Sequence, residues 1–490
     1  MQSFLNLRNT LLFVGLLTVW RLYLSATLQL HPDEAYYWLW SRHLDMGYFD
    51  HSPIVAYFIW LTTLFSKSEL WVRLPGTLVI ITASWLTWQL AMRMFNSTSI
   101  AAGSVMLFNA TPLSMLGLIV ITPDIPVYLF WALSVYLMWL IIQQQQAWQW
   151  YALGLAFGLA LLSKYTALLL LPSLLAYLLL TDDRHWLQTR HPWLAMMLGF
   201  FCFMPVIIWN SRHGWISFVF QFHHGLDSDS YAFGRVGEFF SSQLLLVGPL
   251  VWLAGMYAAF KTLKSGDKPM LMLAAASLPV ILIFGGISII KLAGPNWTAF
   301  AYFSLLILFT RYFLGSTIPA MRYLWYVSLF STLLLSLLIT LHTRFSILPL
   351  AKFSPAMAVT DATNAFYGWR ELGRDLEQIP GQKIAIAPSH QLGAEIIYYT
   401  DEKLQVRTDA GARASQFNIW NQTAKPPVAH GIYVWSNDDS PPQNASDLPA
   451  YAHLQTLTIL RKQVAVKQFH IMPDTVQHAP TTQAKRRLTL

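Results

Sequence analysis

The sequence predicts an all-α polytopic membrane domain over residues 1–345 and a small soluble α/β domain over residues 346–490. The first observation is composition: 55% of the 490 residues are hydrophobic and only 11% are charged, whereas a soluble globular chain carries about 25% charged residues. The second is a series of apolar runs of roughly 17–22 residues, each long enough to cross a hydrocarbon core of about 30 Å. The third is the rise in polar residues after about residue 346, where no such run recurs.

Short polar segments separate the apolar runs and define about eleven predicted spans. They lie at residues 10–30, 75–93, 99–119, 125–143, 149–163, 165–180, 193–210, 243–261, 270–290, 296–313 and 322–342. The first stretch continues past Arg21 without a small-residue cleavage site, so we interpret it as an uncleaved span rather than a signal peptide. Residues 54–66 are apolar but short, and they are also consistent with an amphipathic helix lying in the membrane interface.

The distribution of Lys and Arg predicts the orientation of the chain. Alternate connections are rich in basic residues, among them Arg184, Arg190, Arg311 and Arg322, and such connections face the cytoplasm. We therefore expect a membrane protein with a cytoplasmic N-terminus. Its opening segment, the loop 211–242 and the soluble domain would lie on the outer side. The same rule accounts for the net charge of +8 without a nucleic-acid partner.

Ionisable groups gather in the segments predicted to face the outside, at or near membrane depth. They are Asp33, Glu34, Asp50, His51, Asp124, Lys164, His224, Arg235 and Lys291. Such groups are costly in a membrane unless they are paired or hydrated, so each is a candidate functional residue. Structural explanations stay open: Asp33 and Glu34 could cap a helix, Asp124 could begin one, and Lys164 could extend its ammonium group to the interface. Loop histidines are often only solvated.

This set of residue types suits one kind of chemistry. A carboxylate can act as a general base towards a hydroxyl or amine nucleophile, and basic groups can hold a phosphate that gains negative charge as it leaves. The aromatic residues of "HPDEAYYWLW" and "GYF" could stack on sugar rings or lie in the membrane interface. Together these features predict group transfer from a membrane-embedded phospholipid-like donor to an acceptor at the outer surface.

Three other classes of protein fit parts of the pattern. A polytopic transporter or flippase of a lipid-linked or polar substrate would also carry ionisable groups in its spans, but nearer the middle of the membrane. A sensor with a periplasmic tail would not need them. A phosphoethanolamine transferase would carry a nucleophilic Thr and a metal cluster in its soluble domain, and we find no such cluster in the sequence of the tail.

The chain resembles the bacterial glycosyltransferase family 39 proteins, of the dolichyl-phosphate-mannose protein mannosyltransferase type, and more distantly the lipid A aminoarabinose transferase. The ordered motifs that carry the resemblance are "HPDEAYYW", "GYFDHSP", "RLPGTL", "TPDIPVYLFW", "SKYTALLLLP", "IIWNSRHGWISFVFQFHHG", "GPNW", "YGWRELG" and "SQFNIW". They extend over nearly the whole chain. The resemblance implies the GT-C fold, a polyprenyl-phosphate sugar as donor, and a membrane lipid, glycan or protein as acceptor.

The resemblance also implies roles for individual residues. Asp33 matches the family's catalytic carboxylate with Glu34 beside it, and Asp124 matches the second acidic position near the donor. Asp50 and His224 match positions that hold a metal in the aminoarabinose transferase, so zinc is possible by analogy, although the wider family needs no metal. His51 replaces a lysine that would contact the donor phosphate. We expect an inverting single displacement in which Asp33 is the base and a basic group stabilises the leaving phosphate. The basic candidates are Lys164, Arg235, Lys291 and His51.

The soluble domain alternates helix-like and strand-like patterns. We predict helices in "YGWRELGRDLEQI" and "AEIIYYT", and strands in "KIAIA", "GIYVWS" and "KQVAVKQFHIM". The last ten residues, "TTQAKRRLTL", are predicted to be disordered. Two roles stay open for this domain: a lid that binds the acceptor, or a stabilising cap without substrate contact.

Overall fold

The computed structural model describes residues 4–226, 233–291, 293–379, 384–408, 413–421, 431–439, 454–473 and 485–489. The chain divides into two compact units. The membrane unit comprises Met1–Ser25, Asp45–Ser66 and Arg73–Thr340, and the C-terminal unit comprises Ala26–Leu44, Lys67–Val72 and Leu341–Leu490. The division predicted near residue 345 therefore differs in one respect, because two segments from the first fifth of the chain belong to the C-terminal unit.

The α-helices in chain order are α1 Leu7–Thr27, α2 Pro32–Arg42, α3 Ile54–Thr63, α4 Glu69–Phe95, α5 Thr98–Ala110, α6 Asp124–Gln144, α7 Trp148–Leu161, α8 Leu170–Leu180, α9 His191–Cys202, α10 Met204–Arg212, α11 Ile216–Leu226, α12 Phe233–Val247, α13 Pro249–Thr262, α14 Lys268–Ala275, α15 Leu278–Ile290, α16 Tyr302–Leu314, α17 Pro319–Phe345, α18 Leu350–Phe353, α19 Pro355–Val359, α20 Trp369–Glu377, α21 His390–Tyr399 and α22 Gln416–Asn421. A π-helical turn spans Leu113–Gly117, and 3₁₀ helices span Tyr165–Leu169, Asp182–Gln188, Pro295–Ala301 and Ala362–Phe366. The strands are β1 Ile384–Ala387, β2 Gln405–Thr408, β3 Ile432–Ser436, β4 Gln455–Arg461, β5 Val464–Pro473 and β6 Lys485–Thr489.

Within the described residues, six helical segments are long and apolar enough to cross a membrane. They are Leu7–Thr27, Glu69–Phe95, Asp124–Gln144, Lys268–Ile290, Pro295–Leu314 and Pro319–Phe345. Three further helix pairs pass only when taken together and are bent at their junction by 42°, 102° or 120°, which raises the number of spans to nine at most. The chain is thus a multi-pass membrane protein. The predicted count of about eleven spans is not confirmed.

Local backbone chemistry explains why some predicted spans are interrupted. The predicted span 243–261 breaks at Gly248, which has a φ of 95°, and Pro249 then begins α13. A Cβ at Gly248 would lie 2.2 Å from Thr332 Oγ1, so only glycine fits there. The predicted span 99–119 also changes geometry. Its α-helix ends at Ala110, and a π-helical turn follows Pro112.

Small residues bring α7 and α9 into close contact. A Cβ at Gly154 would lie 2.4 Å from the Ala195 carbonyl oxygen, and a Cβ at Gly199 would lie 2.4 Å from Phe157 Cδ1. Gly154 and Gly158 are four residues apart on one helix face, the spacing that lets membrane helices approach closely. This contact fixes the end of α7, from which the chain continues to Lys164.

The C-terminal unit is built on a six-stranded mixed sheet with the strand order β2-β1-β3-β5-β4-β6. Strands β2, β1 and β3 are parallel, β5 pairs antiparallel with both β3 and β4, and β6 pairs parallel with β4. Ile432 and Val434 of β3 are fully buried, as expected for a central strand.

The α/β character of this unit is confirmed, and α20, α21, β1, β3 and β5 lie where the sequence predicts them. The prediction of a disordered end is wrong for residues 485–489, which form β6 beside β4. The basic composition of this segment suggested disorder, but the segment forms a strand at the edge of the sheet, where one face can stay polar. Residues 481–484 and 490 lie outside the described part of the chain.

Candidate functional site

The centre of the membrane unit's site is an ion pair between Asp124 and Lys164. Asp124 opens α6, and Lys164 lies in extended backbone between α7 and the 3₁₀ helix that follows. Lys164 Nζ lies 2.7 Å from Asp124 Oδ1, and the two residues are only 6% and 4% exposed. The N-cap residue of α6 is Pro123, which makes no side-chain capping hydrogen bond, and the Asp124 carboxylate bonds to the Lys164 and Asn296 side chains. The structure therefore favours neither a capping role for Asp124 nor an interfacial role for Lys164.

Asn296 completes this group from the "GPNW" motif. It lies in the 3₁₀ helix Pro295–Ala301, and its Nδ2 donates to Asp124 Oδ2 at 2.5 Å. Thr122 Oγ1 lies 3.5 Å from the same oxygen. Both oxygens of Asp124 are thus engaged, one by a cation and one by neutral donors. Asn296 was not among the predicted site residues, although the motif that contains it was recognised.

A buried glutamine holds the loop that carries Asn296. Gln243 of α12 is fully buried, and its Nε2 donates to the carbonyl oxygen of Pro295 at 3.2 Å. Its Oε1 accepts hydrogen bonds from Thr298 Oγ1 at 2.5 Å and from Tyr302 OH at 2.7 Å. Sequence reasoning missed Gln243 because it considered only ionisable groups. A single amide next to the apolar run "LLLV" is the signal that could have revealed it.

The "DHSP" segment joins the same neighbourhood through the end of α7. Ser52 Oγ donates to the Leu161 carbonyl oxygen at 2.9 Å, and the backbone N–H of Ile54 donates to the Leu162 carbonyl oxygen at 3.1 Å. These bonds place Asp50 and His51 beside the turn that leads to Lys164.

Gln221 of α11 connects another recognised motif to that segment. Its Nε2 lies 2.5 Å from the Asp50 carbonyl oxygen and 3.4 Å from His51 Nδ1. The side chain of Asp50 is itself buried, with an exposed fraction of 4%. Five of the motifs identified in the sequence therefore meet in the membrane unit: "DHSP", "TPD", "SKY", "FVFQF" and "GPNW".

Arg235 and Lys291 form a separate basic pair. The Arg235 guanidinium donates through Nη1 to the Ile290 carbonyl oxygen at 2.8 Å, directly before Lys291. The structure thus brings two of the predicted phosphate ligands together at the end of α15. It shows no hydrogen bond or ion pair between this pair and Lys164 among the described residues.

Asp33 and Glu34 lie in the C-terminal unit and have different surroundings. His31 caps α2, and Glu34 completes a capping box because its Oε2 accepts the His31 backbone N–H at 2.8 Å. Glu34 is fully buried, whereas the Asp33 side chain is 44% exposed and 3.8 Å from His31 Nδ1. The capping explanation therefore holds for Glu34, and Asp33 is the carboxylate that a substrate could reach.

The aromatic residues that follow Glu34 are buried in the protein core rather than exposed at the surface. Tyr36 and Trp38 are 2% and 1% exposed, and they contact His390 and Tyr398 of α21 at ring-centroid distances of 4.5 and 4.8 Å. Burial, with a smaller contribution from the nearby Arg413 charge, lowers the pKa of His390 to about 3. These two aromatic residues belong to the core of the C-terminal unit, so neither the sugar-stacking nor the interface interpretation applies to them.

The predicted metal position finds no ligand set in the described part of the chain. No group of three His, Cys, Asp or Glu side chains there is close enough to hold one ion. Asp50 is described, but the side chain of His224 lies outside the described residues. The described residues do not form a metal site, and we derive no step through a metal.

Comparison with known proteins connects these observations. Residues 50–209 match the family model of dolichyl-phosphate-mannose-protein mannosyltransferase, a segment that contains Asp50, Asp124 and Lys164. The chain is 27% identical over 314 residues to lipid A galacturonosyltransferase RgtD of Rhizobium johnstonii. This alignment covers 60% of this chain and 63% of RgtD. The chain thus aligns with less than two thirds of the length of that relative.

The overall architecture matches ArnT from Cupriavidus metallidurans. Its structure bound to undecaprenyl phosphate superposes with a TM-score of 0.66 at 15% identity, covering 95% of this chain and 98% of ArnT. The chain is related to the GT-C glycosyltransferases. The apo structure of ArnT gives the same TM-score and covers 94% of this chain and 97% of ArnT. The predicted GT-C fold is confirmed, and the match of residues 50–209 to the mannosyltransferase family model agrees with the predicted family.

Proposed function

We propose that this GT-C protein moves a sugar from a polyprenyl-phosphate donor to a lipid acceptor at the periplasmic face of the bacterial inner membrane. The observation that carries the proposal is the convergence of "DHSP", "TPD", "SKY" and "GPNW" on the buried Asp124–Lys164 pair. RgtD is a lipid A galacturonosyltransferase, and ArnT has been seen with undecaprenyl phosphate; both support this donor and acceptor. Glycan and protein acceptors stay predictions. The relationship to glycosyltransferases favours this function over the transporter alternative.

The pattern of basic residues supports the orientation. Arg184, Arg190, Arg311 and Arg322 fall in connections that would face the cytoplasm, with the N-terminus on the same side. The C-terminal unit would then lie in the periplasm, together with Asp33. In this arrangement the acceptor reaches the enzyme from the outer surface.

The donor end of the reaction is assigned to the membrane unit. The leaving phosphate gains negative charge as the bond from the anomeric carbon to its oxygen breaks, and ammonium and guanidinium groups stabilise that charge. Lys164 is the principal candidate. Asp124 orients it by accepting one of its three donors, and Asn296 in turn holds the Asp124 carboxylate. Arg235 and Lys291 supply a second basic position for the same phosphate, and His51 a third.

The acceptor end is assigned to Asp33. Its carboxylate removes the proton from an acceptor hydroxyl or amine while that atom attacks the anomeric carbon from the face opposite the phosphate. The sugar is transferred with inversion, polyprenyl phosphate leaves with the bonding electrons, and Asp33 later returns its proton to water. Glu34 supports this position by capping α2 rather than by taking a proton.

An apolar groove offers a place for the polyprenyl chain. It lies between α7, α8 and α9, has an empty volume of about 710 Å³, and is lined by leucine and aromatic side chains such as Leu170, Leu174, Phe157 and Trp193. Leu170 is six residues from Lys164 across the 3₁₀ helix Tyr165–Leu169, which at about 2 Å per residue corresponds to roughly 12 Å. A phosphate held by Lys164 would therefore leave its hydrocarbon chain close to the groove.

Reconstituted protein tests the proposal. Proteoliposomes would receive radiolabelled polyprenyl-phosphate sugars together with lipid A or with a phospholipid extract lacking it, and a nucleotide sugar would serve as the negative donor control. We expect label to enter lipid A from at least one polyprenyl-phosphate sugar and from no nucleotide sugar. Absence of transfer from every polyprenyl-phosphate donor would contradict the proposed function.

A further inference from the structure

A polar pocket lies in the membrane unit, where the ends of five helices meet. It has an empty volume of about 910 Å³ and is lined mainly by polar atoms. Its polar side chains are Ser97, Ser99, Asp267, Arg311, Ser316 and Arg322. They come from the starts of α5, α14 and α17, from the last turn of α16 and from the turn between α16 and α17, beside the C-terminal end of α4.

This pocket lies at the end of the unit opposite to Asp124. Helices α4 and α6 run side by side in the same direction, because a Cβ at Gly76 would lie 3.3 Å from Ile125 Cδ1 and Arg93 donates to Tyr136 OH at 3.0 Å. Phe95, which lines the pocket, is 19 residues beyond Gly76, or about 28 Å along α4. The pocket is therefore distinct from the proposed donor site.

The charges in the pocket are not balanced. Neither Arg311 nor Arg322 forms an ion pair with a carboxylate in the part of the chain that the structure describes. Arg311 lies 5.5 Å from the Phe95 ring and donates weakly to the Gly315 carbonyl oxygen at 3.5 Å, and Arg322 donates to the Thr317 carbonyl oxygen at 3.4 Å. The carboxylate of Asp267 accepts the Met270 backbone N–H at 3.3 Å as a helix cap. The lining therefore carries a net positive charge.

Hydroxyl groups complete the set of donors. Ser97 Oγ and Ser99 Oγ lie 3.1 Å apart at the start of α5, and both residues are partly accessible. Two guanidinium groups and two hydroxyls match the several oxygens of a phosphate, which arginine can bind through paired N–H groups. Basic pockets between the ends of membrane helices are typical sites for anionic lipid headgroups.

We propose that this pocket binds the phosphate of an anionic membrane phospholipid through Arg311 and Arg322. The site is separate from sugar transfer, so this inference does not depend on the proposed function. Its position among helix ends places the phosphate at the depth of the lipid headgroups, where a diacyl chain can extend along the helices.

Native mass spectrometry of the full chain in detergent tests this site. The probes are phosphatidylglycerol, zwitterionic phosphatidylcholine and inorganic phosphate, and the variant is Arg311→Ala/Arg322→Ala. The matched control, Arg184→Ala/Arg190→Ala, removes two exposed arginines from outside the pocket. We expect roughly tenfold or greater loss of retained phosphatidylglycerol in the pocket variant only, since each basic group near a lipid surface is worth about 1 kcal/mol.

A second variant keeps the test decisive if the first one unfolds. Ser99→Glu places a carboxylate in the first turn of α5, where acidic residues stabilise a helix, but it opposes a bound phosphate. We expect it to lose phosphatidylglycerol while its thermal unfolding is unchanged. Equal retention of the two lipids by the wild type, or full retention by both pocket variants, would overturn the proposal. Retention of inorganic phosphate without arginine-dependent lipid would also overturn the assignment to a lipid.

Discussion

Lys164 Nζ and Asp124 Oδ1 lie 2.7 Å apart in the interior of the membrane unit, and both side chains are almost completely buried. A buried pair of this kind depends on both partners, because each charge alone would face a large desolvation cost. Its second carboxylate oxygen is engaged by Asn296. The pair therefore links three parts of the chain that are far apart in sequence and gives the proposed donor site its shape.

Removal of one partner separates the structural contribution of this pair from its function. Lys164→Met leaves Asp124 buried without its cation, and we expect it to destabilise the protein by about 3–5 kcal/mol. The double variant Asp124→Leu/Lys164→Met should recover most of that stability, because a buried pair can be replaced by apolar side chains. It should not recover sugar transfer. Thermal unfolding in detergent and transfer in proteoliposomes are the two measurements.

A surface pair provides the control for that experiment. Lys403 Nζ lies 2.8 Å from Glu377 Oε1, and the two side chains are 63% and 35% exposed. Lys403→Met should leave both the unfolding temperature and sugar transfer close to those of the wild type, because exposed ion pairs contribute little to stability. Wild-type transfer by Asp124→Leu/Lys164→Met would show that the buried pair is only structural.

Gln243 is predicted to position Asn296 without contacting the substrate. Gln243→Leu leaves the Thr298 and Tyr302 hydroxyls without their acceptor, and we expect roughly 1–3 kcal/mol of lost stability. Because the "GPNW" loop loses its support, transfer should also fall about tenfold, a difference of about 1.4 kcal/mol in activation free energy.

Another buried glutamine distinguishes positioning from general stability. Gln149 is 1% exposed and its Nε2 donates to Gln144 Oε1 at 2.6 Å, away from the site. Gln149→Leu should lower the unfolding temperature by less than Gln243→Leu, because it removes fewer hydrogen bonds, and it should keep wild-type transfer. An equal loss of transfer in both glutamine variants would mean that Gln243 acts only through stability.

His390 makes the C-terminal unit sensitive to acid. Its folded pKa of about 3 lies below the ordinary value of 6.5, so below pH 6.5 the unfolded chain binds a proton that the folded unit does not. Stability is therefore lost as the pH falls below 6.5. From pH 7 to pH 5 the loss from this group is on the order of 2 kcal/mol.

A substitution isolates that contribution. Urea unfolding at pH 7 and pH 5 should show a smaller acid loss for His390→Phe than for the wild type, because the variant has no imidazole to protonate. His185→Gln, which alters an exposed histidine in the membrane unit, should behave like the wild type. The same pH dependence in all three proteins would refute the role of His390.

The sequence predicts the membrane class, the α/β tail and most charged site residues because these depend on composition, periodicity and unusual residue types. It identifies Asp124 and Lys164 as separate candidates but not as a pair, since 40 residues separate them and only the packed helices bring them together. Gln243 and Asn296 are neutral, and a buried amide costs less than a buried charge, so these residues stand out less clearly in an apolar sequence than Asp124 and Lys164 do.

The breaks in the predicted spans depend on tertiary contacts in the same way. Gly248 interrupts an apolar run because Thr332, from a distant helix, leaves no space for a Cβ. The aromatic residues Tyr36 and Trp38 suggest a sugar platform when read locally, but they pack against α21 of the C-terminal unit. In each case the contacting residue lies more than 80 residues further along the chain, so the local sequence pattern cannot predict the contact.

Single-turnover sugar transfer by wild type and Asp33→Asn tests the central claim most directly. Both proteins would be loaded with radiolabelled polyprenyl-phosphate sugar in proteoliposomes containing lipid A, with Asp401→Asn as a control at an exposed carboxylate of the same unit. The account predicts that Asp33→Asn binds donor normally but transfers the sugar at least about 100-fold more slowly, the scale expected for loss of a general base. Equal transfer rates in Asp33→Asn and the wild type would contradict it.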